Sequence, residues 1–220
     1  YKINYDQSAL ITNFVHSKNH YNTAYEIFLP NGPLATLPMT KIDNKYYQSS
    51  MIWSEKKHIV NKFKQYDADK VKNIIEKITN PYLEKIIKIQ NIKTFPLSAH
   101  ICRKFYDKRI ALVGDAAHSI HPIAGQGWNL GMRDIKYLIK CIEEYSYLGI
   151  DIGSQSLLQK YNDNRFADVS SMLLITHGLN KVFSNNSIIL DKIRSVGFQY
   201  INNNRRIVSK LVNYAMGINL

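Results

Sequence analysis

The stretch RIALVGDAAHSIHPIAGQGWNLGMRD, residues 109–134, constrains the fold more than any other part of the chain. Its apolar run RIALVG ends at Gly114, and that pattern predicts a buried parallel strand over 109–114. From Gln126 onward Leu130, Ile135, Leu138, Ile139 and Ile142 mark one face of a predicted helix, with Arg133, Lys136, Lys140, Glu143 and Glu144 elsewhere. The chain therefore reads here as strand, long loop and helix.

Several chemistries compete for that loop. A dinucleotide fingerprint needs its glycine turn directly between strand and helix, and here Asp115 through Gly125 intervene, so GQGWNLG fails on spacing. A metal site from Asp115, His118 and His121 at i, i+3, i+6 is disfavoured: on a helix the outer two residues would face partly apart, and Pro122, Gly125 and Gly127 argue against a helix there. A flavin-binding loop uses both ends of the stretch. An acidic residue just past a strand end accepts hydrogen bonds from ribityl or ribose hydroxyls, and a glycine-lined helix N-terminus lets backbone N–H groups approach a planar ring carrying negative charge. The remaining alternative is a glycine-rich turn with Asp115 as its cap.

Upstream, SALITNFV, AYEIFLP, PLATLPM and KYYQSSMIWS read as strands of an antiparallel sheet, with turn chemistry at Asn31-Gly32-Pro33. Val71, Ile74, Ile75 and Ile78 mark an amphipathic helix with Asp67 and Asp69 in front and Asn80-Pro81 as its stop. The segment YLEKIIKIQNIKTFPL is expected to be a short helix running into a strand. After Gly153 the remainder is expected to be helical. Near its end Ile201, Ile207, Val208, Leu211, Val212 and Ala215 lie near one face, with Arg205, Arg206 and Lys210 elsewhere. Such a helix either docks on the protein or lies on an anionic membrane.

Composition excludes some classes. With 220 residues, 45% hydrophobic and 21% charged, the chain is neither a disordered tail nor a fibre, and it can hold one large domain or two small ones. Cys102 and Cys141 fit no zinc or C-x-x-C spacing, which favours a reduced compartment. The N-terminus YKINYDQSAL has no methionine and no signal pattern, and no run approaches the ~18 apolar residues of a membrane span, so a soluble, truncated chain is expected. The net charge of +12 invites nucleic acid. However, Lys56, Lys57, Lys62, Lys64, Lys70, Lys72 and Lys77 are interleaved with apolar residues as on a solvated face, so no nucleic-acid partner is expected. A basic surface also suits an anionic membrane face.

The quoted stretch resembles the second flavin motif of the aromatic-ring hydroxylases of ubiquinone biosynthesis, within the FAD-dependent monooxygenases related to p-hydroxybenzoate hydroxylase. YDQSAL and AYEIFLPNGPLATLPM are similar to that family's substrate-domain strands, and LLQKYNDNR and YAMG to its C-terminal helices. The resemblance implies a mixed α+β and α/β chain: an antiparallel-sheet substrate domain over 1–107, the returning strand-loop-helix of a Rossmann-like FAD-binding domain over 108–146, and C-terminal helices over 147–220. It implies Asp115 as a ligand of the FAD ribityl chain and Pro122 as packing on the isoalloxazine. It also implies Gly125, Gln126, Gly127 and Asn129 as the backbone edge that approaches the pyrimidine end. His118 and His121 match the motif too, with loop packing as the alternative to a catalytic role, and no catalytic side chain is assigned. GPLATLPM is a candidate wall for substrate, while Tyr46, Tyr47 and Trp53 read as core.

The activity so implied is hydroxylation of a phenolic, polyprenyl-bearing ring by FAD and dioxygen through a flavin hydroperoxide, with NAD(P)H or another reductant as electron donor. The implied location is cytoplasmic, peripheral at the inner face of the membrane. The family's opening strand, G-x-G-x-x-G turn and helix, and its later Asp-Gly motif, are not in this sequence. One expectation is therefore half of an enzyme, a fragment or split-gene product that docks with a separate N-terminal FAD-domain chain or other ubiquinone-biosynthesis proteins. Another is a degenerate remnant that serves as a docking module without FAD of its own. A third is a basic surface binder.

Overall fold

The computed structural model describes residues 1–41, 45–183, 197, 199–201 and 203–216. Contacts divide the chain into two compact units, one holding Tyr5–Leu97 and the other Tyr1–Asn4, Ser98–Val182 and the described residues beyond 186. The division falls between Leu97 and Ser98, inside a strand, where no sequence pattern marks a boundary.

The first unit is an antiparallel sheet backed by two helices. Strands β1 (Lys2–His16), β2 (Tyr25–Leu29), β3 (Gly32–Pro38) and β4 (Tyr47–Lys56) lie in the order β2-β3-β4-β1. Register places Ile27, Leu34, Trp53 and Leu10 side by side, with Tyr25, Thr36, Met51 and Thr12 forming the neighbouring row. Strand side chains alternate between faces, so these rows share one face. They pack with Val60 and Phe63 of α1 (Lys57–Phe63) and Val71, Ile75 and Leu83 of α2 (Ala68–Leu83). Trp53 meets the Phe63 ring edge-on at 5.2 Å, so it is core as its sequence context suggested. At the β2–β3 hairpin Gly32 adopts φ +153, and a Cβ there would fall 2.4 Å from the Ser54 carbonyl oxygen.

Two expectations need correction here. Asp67 does cap α2, accepting from the Lys70 amide at 2.6 Å, but Asn80-Pro81 does not stop the helix. Proline in a last turn removes one N–H donor, and the helix runs on to bury Leu83 before Glu84 breaks it at φ 57. The YLEKIIKIQNIKTFPL segment forms no separate short helix. Tyr82 and Leu83 close α2, and the rest becomes β5 (Ile86–Ile89) and β6 (Lys93–Ile101). Phe14 pairs with Ile89 and His16 with Ile86, so hydrogen bonding to β1 decides what local propensity leaves open.

In the second unit the end of β6 pairs antiparallel with β9 (His118–Ser119), and β7 (Tyr106–Asp107) pairs antiparallel with β8 (Ile110–Ala111). The predicted buried parallel strand over 109–114 is thus corrected to a two-residue strand whose sheet partner is β7, with Ile110 56% exposed. A parallel strand needs parallel neighbours, and β8 has none among the described residues. Helices α3 (Gly127–Tyr147) and α4 (Gln155–Phe183) follow. Leu130 and Cys141 of α3 pack with Leu157, Leu158, Tyr161, Val169 and Met172 of α4. The face of α3 differs from its apolar pattern, because Arg133 and Asp134 are buried whereas Ile135 and Ile139 are 42% and 50% exposed. In the closing helix Arg205–Met216, Val208 and Val212 are exposed; the side chain of Leu211 lies outside the described residues. No helix among the described residues is long and apolar enough to cross a membrane.

Candidate functional site

Extended backbone at Val113 (φ −133, ψ 141) enters a 3-10 turn over Gly114–Ala116. Gly114 opens it at φ +57, a left-handed conformation that a side chain would strain. Each polar backbone group that holds the turn has an identifiable partner. The Ala117 amide donates to the Gly114 carbonyl at 2.8 Å, and the Cys102 amide donates to the Ala117 carbonyl at 2.9 Å. The Gly114 amide donates to Asp134 Oδ2 at 2.9 Å, and His100 Nε2 donates to the Asp115 carbonyl at 3.0 Å.

Asp134 is the centre of a buried ion network. Its Oδ2 also receives His118 Nε2–H at 2.8 Å, and its Oδ1 receives Arg165 Nε–H at 2.8 Å. Arg165 Nη1 lies 2.8 Å from Asp168 Oδ2, and Arg133 Nη1 lies 3.5 Å from Asp168 Oδ1. Burial raises the Asp134 carboxyl pKa, but hydrogen bonds from His118, the Gly114 amide and Arg165 outweigh it and leave the group below its usual value. Tyr161, raised by burial and then by Asp134, donates its hydroxyl to the Leu112 carbonyl at 2.8 Å. One acidic side chain on α3 therefore holds the start of the turn and its histidine, with α4 supplying the countercharge.

The residues implied by the motif fall into two groups. The Asp115 side chain is exposed, caps nothing, and takes part in no hydrogen bond or ion pair among the described residues. Gly125 adopts φ +61, and a Cβ at Gly125 or Gly127 would have nothing within 4 Å. The α3 N-terminus begins at Gly127 after Gln126, with no side-chain cap on its first-turn amides. Asn129 Nδ2 donates to Gln126 Oε1 at 3.2 Å, and Pro122 is half-buried. His118 and His121, in contrast, are buried. His118 lies against the Phe105 ring at 5.5 Å, and His121 Nδ1 accepts from the Ile123 amide at 3.2 Å. Burial, then His177, pushes His121 down to about 4, so it is neutral at physiological pH. His118 is engaged by Asp134, and no group of three metal-ligating side chains occurs among the described residues.

These features fit an FAD. An exposed carboxylate without a partner suits a polyol, and uncapped helix amides beside glycines that leave open space suit the edge of a planar, partly anionic ring. The same geometry removes the capping alternative for Asp115.

Sequence reasoning missed Asp134, Arg165, Asp168 and His100. Asp134 closes the very stretch that was singled out, yet nothing in it distinguishes a buried acid from a solvated one. The one available signal was complementary charge at helical spacing, Arg133-Asp134 on one helix and Arg165 with Asp168 on the next.

Comparison with known proteins speaks to the family and the fold. The sequence profile of a family described as an FAD binding domain matches residues 8–174. Ubiquinone hydroxylase UbiL of Rhodospirillum rubrum is 32% identical over 215 residues, covering 98% of this chain and 49% of its own length. The mitochondrial ubiquinone biosynthesis monooxygenase COQ6 of Homo sapiens is 30% identical over 233 residues, covering 90% and 49%. Among solved structures, p-nitrophenol 4-monooxygenase PnpA from Pseudomonas putida matches with TM-score 0.70 at 14% identity, covering 96% of this chain and 52% of that one. PqsL of P. aeruginosa, in complex with 2-aminobenzoylacetate, matches with TM-score 0.66 at 16% identity, covering 84% and 50%. At such identities the structural matches speak for the fold. The chain spans about half the length of the curated relatives it matches.

Proposed function

The chain belongs to the FAD binding domain family, and on that premise we propose that it is the C-terminal part of a flavin-dependent monooxygenase that hydroxylates a phenolic, polyprenyl-bearing ring in ubiquinone biosynthesis. The observation that carries this reading is the exposed, unpartnered carboxylate of Asp115, in the same loop as the uncapped, glycine-flanked start of α3.

When bound, FAD supplies the activation of dioxygen and the transfer of one oxygen to the ring, after reduction by NAD(P)H or another reductant. Asp115 would accept hydrogen bonds from the ribityl hydroxyls. The first-turn amides of α3, from Gly127 to Asn129, would answer the negative edge of the ring system, and Pro122 would pack against the ring. His121, Ile120 and Ile123 close the inner side of the loop against water, since all three are buried and His121 carries no charge. On the sheet, Ile11, Ile52 and Ala35 are aligned on the face opposite the helix-packed rows, with Asn13, Ser50 and Leu37 beside them. This half-apolar face, which includes part of GPLATLPM, suits an aromatic ring. Protein groups here position and desolvate; none is required as a nucleophile.

A second segment completes the site. Met132, Ile135 and Ile139 form an exposed apolar stripe on α3 at 47%, 42% and 50% exposure. An amphipathic helix with apolar residues on its outer side is half of an interface. We assign that interface to the family's strand, G-x-G-x-x-G turn and helix, which would hold the FAD pyrophosphate, whether in the same polypeptide or in a separate one.

The test is the visible absorption spectrum of FAD with the purified protein, alone and with a polypeptide carrying the G-x-G-x-x-G and Asp-Gly motifs. A shifted, resolved flavin band in the mixture supports the reading. Complex formation with a free-flavin spectrum overturns it in favour of a docking module without FAD.

A further inference from the structure

We propose that a cavity in the first unit, between the α1–α2 turn and the β5–β6 connection, binds a small amphipathic anion of the medium-chain carboxylate class. The cavity measures about 460 Å³, and its lining comes from residues 10–94, none of them in the flavin loop. That volume falls in the range of about 300 to 1,000 Å³ found for small-molecule sites. It is far larger than a packing void, since protein interiors hold few gaps bigger than a water molecule. The floor is apolar. Leu10, Phe63 and Val71 are buried core side chains, and Ile89 and Ile92 pack against the same cluster. Among the described residues Lys64 is the only charged member of the lining, and it is exposed at the rim.

Both walls are held by the protein's own bonds. On one side the Gln90 amide donates to the Asn13 carbonyl at 2.8 Å, and the Gln90 carbonyl accepts from the Thr12 hydroxyl at 2.9 Å, which ties the β5–β6 connection to β1. On the other side the Tyr66 amide donates to the Phe63 carbonyl at 3.2 Å, and the two rings meet at 5.6 Å. Lys70 Nζ lies 3.8 Å from the centre of the Tyr66 ring and holds its outer face. A preorganised cavity spares a ligand the cost of ordering its walls. The neighbouring acids do not neutralise the rim. Asp67 stands between two lining residues, but its carboxylate accepts from the Lys70 amide at the start of α2, and Asp69 pairs with Lys72 at 3.1 Å. Lys64 makes no ion pair among the described residues. A single ammonium is a point charge that balances one negative charge, without the fork that favours a phosphate. An apolar tail over Leu10, Val71 and Ile92 with a carboxylate on Lys64 therefore complements both parts of the cavity.

Octanoate, butyrate and octanol, each titrated into the full chain without FAD, test this. Octanoate should give saturable amide shifts centred on Lys64, Ala68 and Gln90. Butyrate, which leaves most of the floor wet, should bind at least about tenfold more weakly, since each buried methylene contributes about 0.8 kcal/mol. Lys64→Gln should weaken octanoate about threefold, the size of an exposed charge pair, and leave octanol unchanged. Ala68→Trp puts an indole at the exposed mouth, outside the core, and should abolish binding of both with the melting temperature nearly unchanged. Absence of saturable octanoate binding overturns the proposal, as do shifts confined to other parts of the chain. Octanoate affinity that Lys64→Gln leaves unmoved, or that a folded Ala68→Trp retains in full, overturns it too. Should Ala68→Trp lose its fold, the wild-type shift map and Lys64→Gln decide.

Discussion

Asp134 Oδ2 receives two hydrogen bonds, from His118 Nε2 at 2.8 Å and from the Gly114 amide at 2.9 Å, so a single carboxylate oxygen clamps the loop's first residue and its histidine to α3. Asp134 is fully buried and Arg165, its partner across α4, is 4% exposed. Removing one member of a buried ion network leaves the others desolvated and unpaired. Asp134→Ala is therefore expected to cost about 3 to 5 kcal/mol of unfolding free energy, measured by urea denaturation. A loss below about 1 kcal/mol, the size of a surface pair, would mean that Arg165 and His118 find other partners.

Acid acts on this unit through two groups with different pH windows. His121 is lowered from 6.5 to about 4 by burial and by His177, so between those values the unfolded chain binds a proton that the folded chain refuses. Stability should fall as pH drops through that window, by about 1.4 kcal/mol per pH unit and about 3 kcal/mol in total, then level off below it. Asp134 is also lowered, and its contribution is present above the unfolded carboxyl value and lost at more acid pH, as the folded group itself takes a proton. Urea midpoints for wild type and His121→Gln at pH 7 and pH 4.5 separate the two. The wild type should lose more stability than the variant across that interval; parallel losses would remove His121 as the cause.

Asp115 should behave in the opposite way to Asp134. Its side chain is exposed and holds nothing in the protein, so Asp115→Ala is expected to leave unfolding free energy within about 0.5 kcal/mol of wild type. In the complex with FAD the same change should weaken binding by about 1.5 to 3 kcal/mol, the value of a charged hydrogen bond. Flavin affinity that does not move would remove Asp115 from the ligand set.

The helix Arg205–Met216 exposes Val208 and Val212, 37% and 47%, alongside exposed Arg205, Arg206 and Lys210. We propose that this face rests on an anionic bilayer surface. Flotation with vesicles containing anionic lipid should carry the protein at low salt and release it as salt rises. Absence of flotation at low salt, or flotation equally strong with neutral vesicles, would exclude the electrostatic surface.

Amino-acid order alone determined the elements with strong local signals. Alternation and turn residues from Ser8 to Ser54 specify the four strands of the sheet, because a period of two leaves one face to bury, and Asp67 marks the start of α2 through its own side-chain hydrogen bond. The turns at Gly114 and Gly125 were legible too, since glycine is the residue that takes up positive φ without strain.

Tertiary structure decided what depends on a partner distant in sequence. RIALVG forms two residues of antiparallel strand because its pairing partner is Tyr106–Asp107, and Ile86–Ile89 is a strand because β1 offers it hydrogen bonds. Asp134 and Arg165 lie 31 positions apart, on different helices, and His100 hydrogen-bonds from its ladder to a loop that follows it. A charged residue in a sequence carries no sign of its burial, because the desolvation it suffers and the countercharge that offsets it both come from chain segments that only folding brings together.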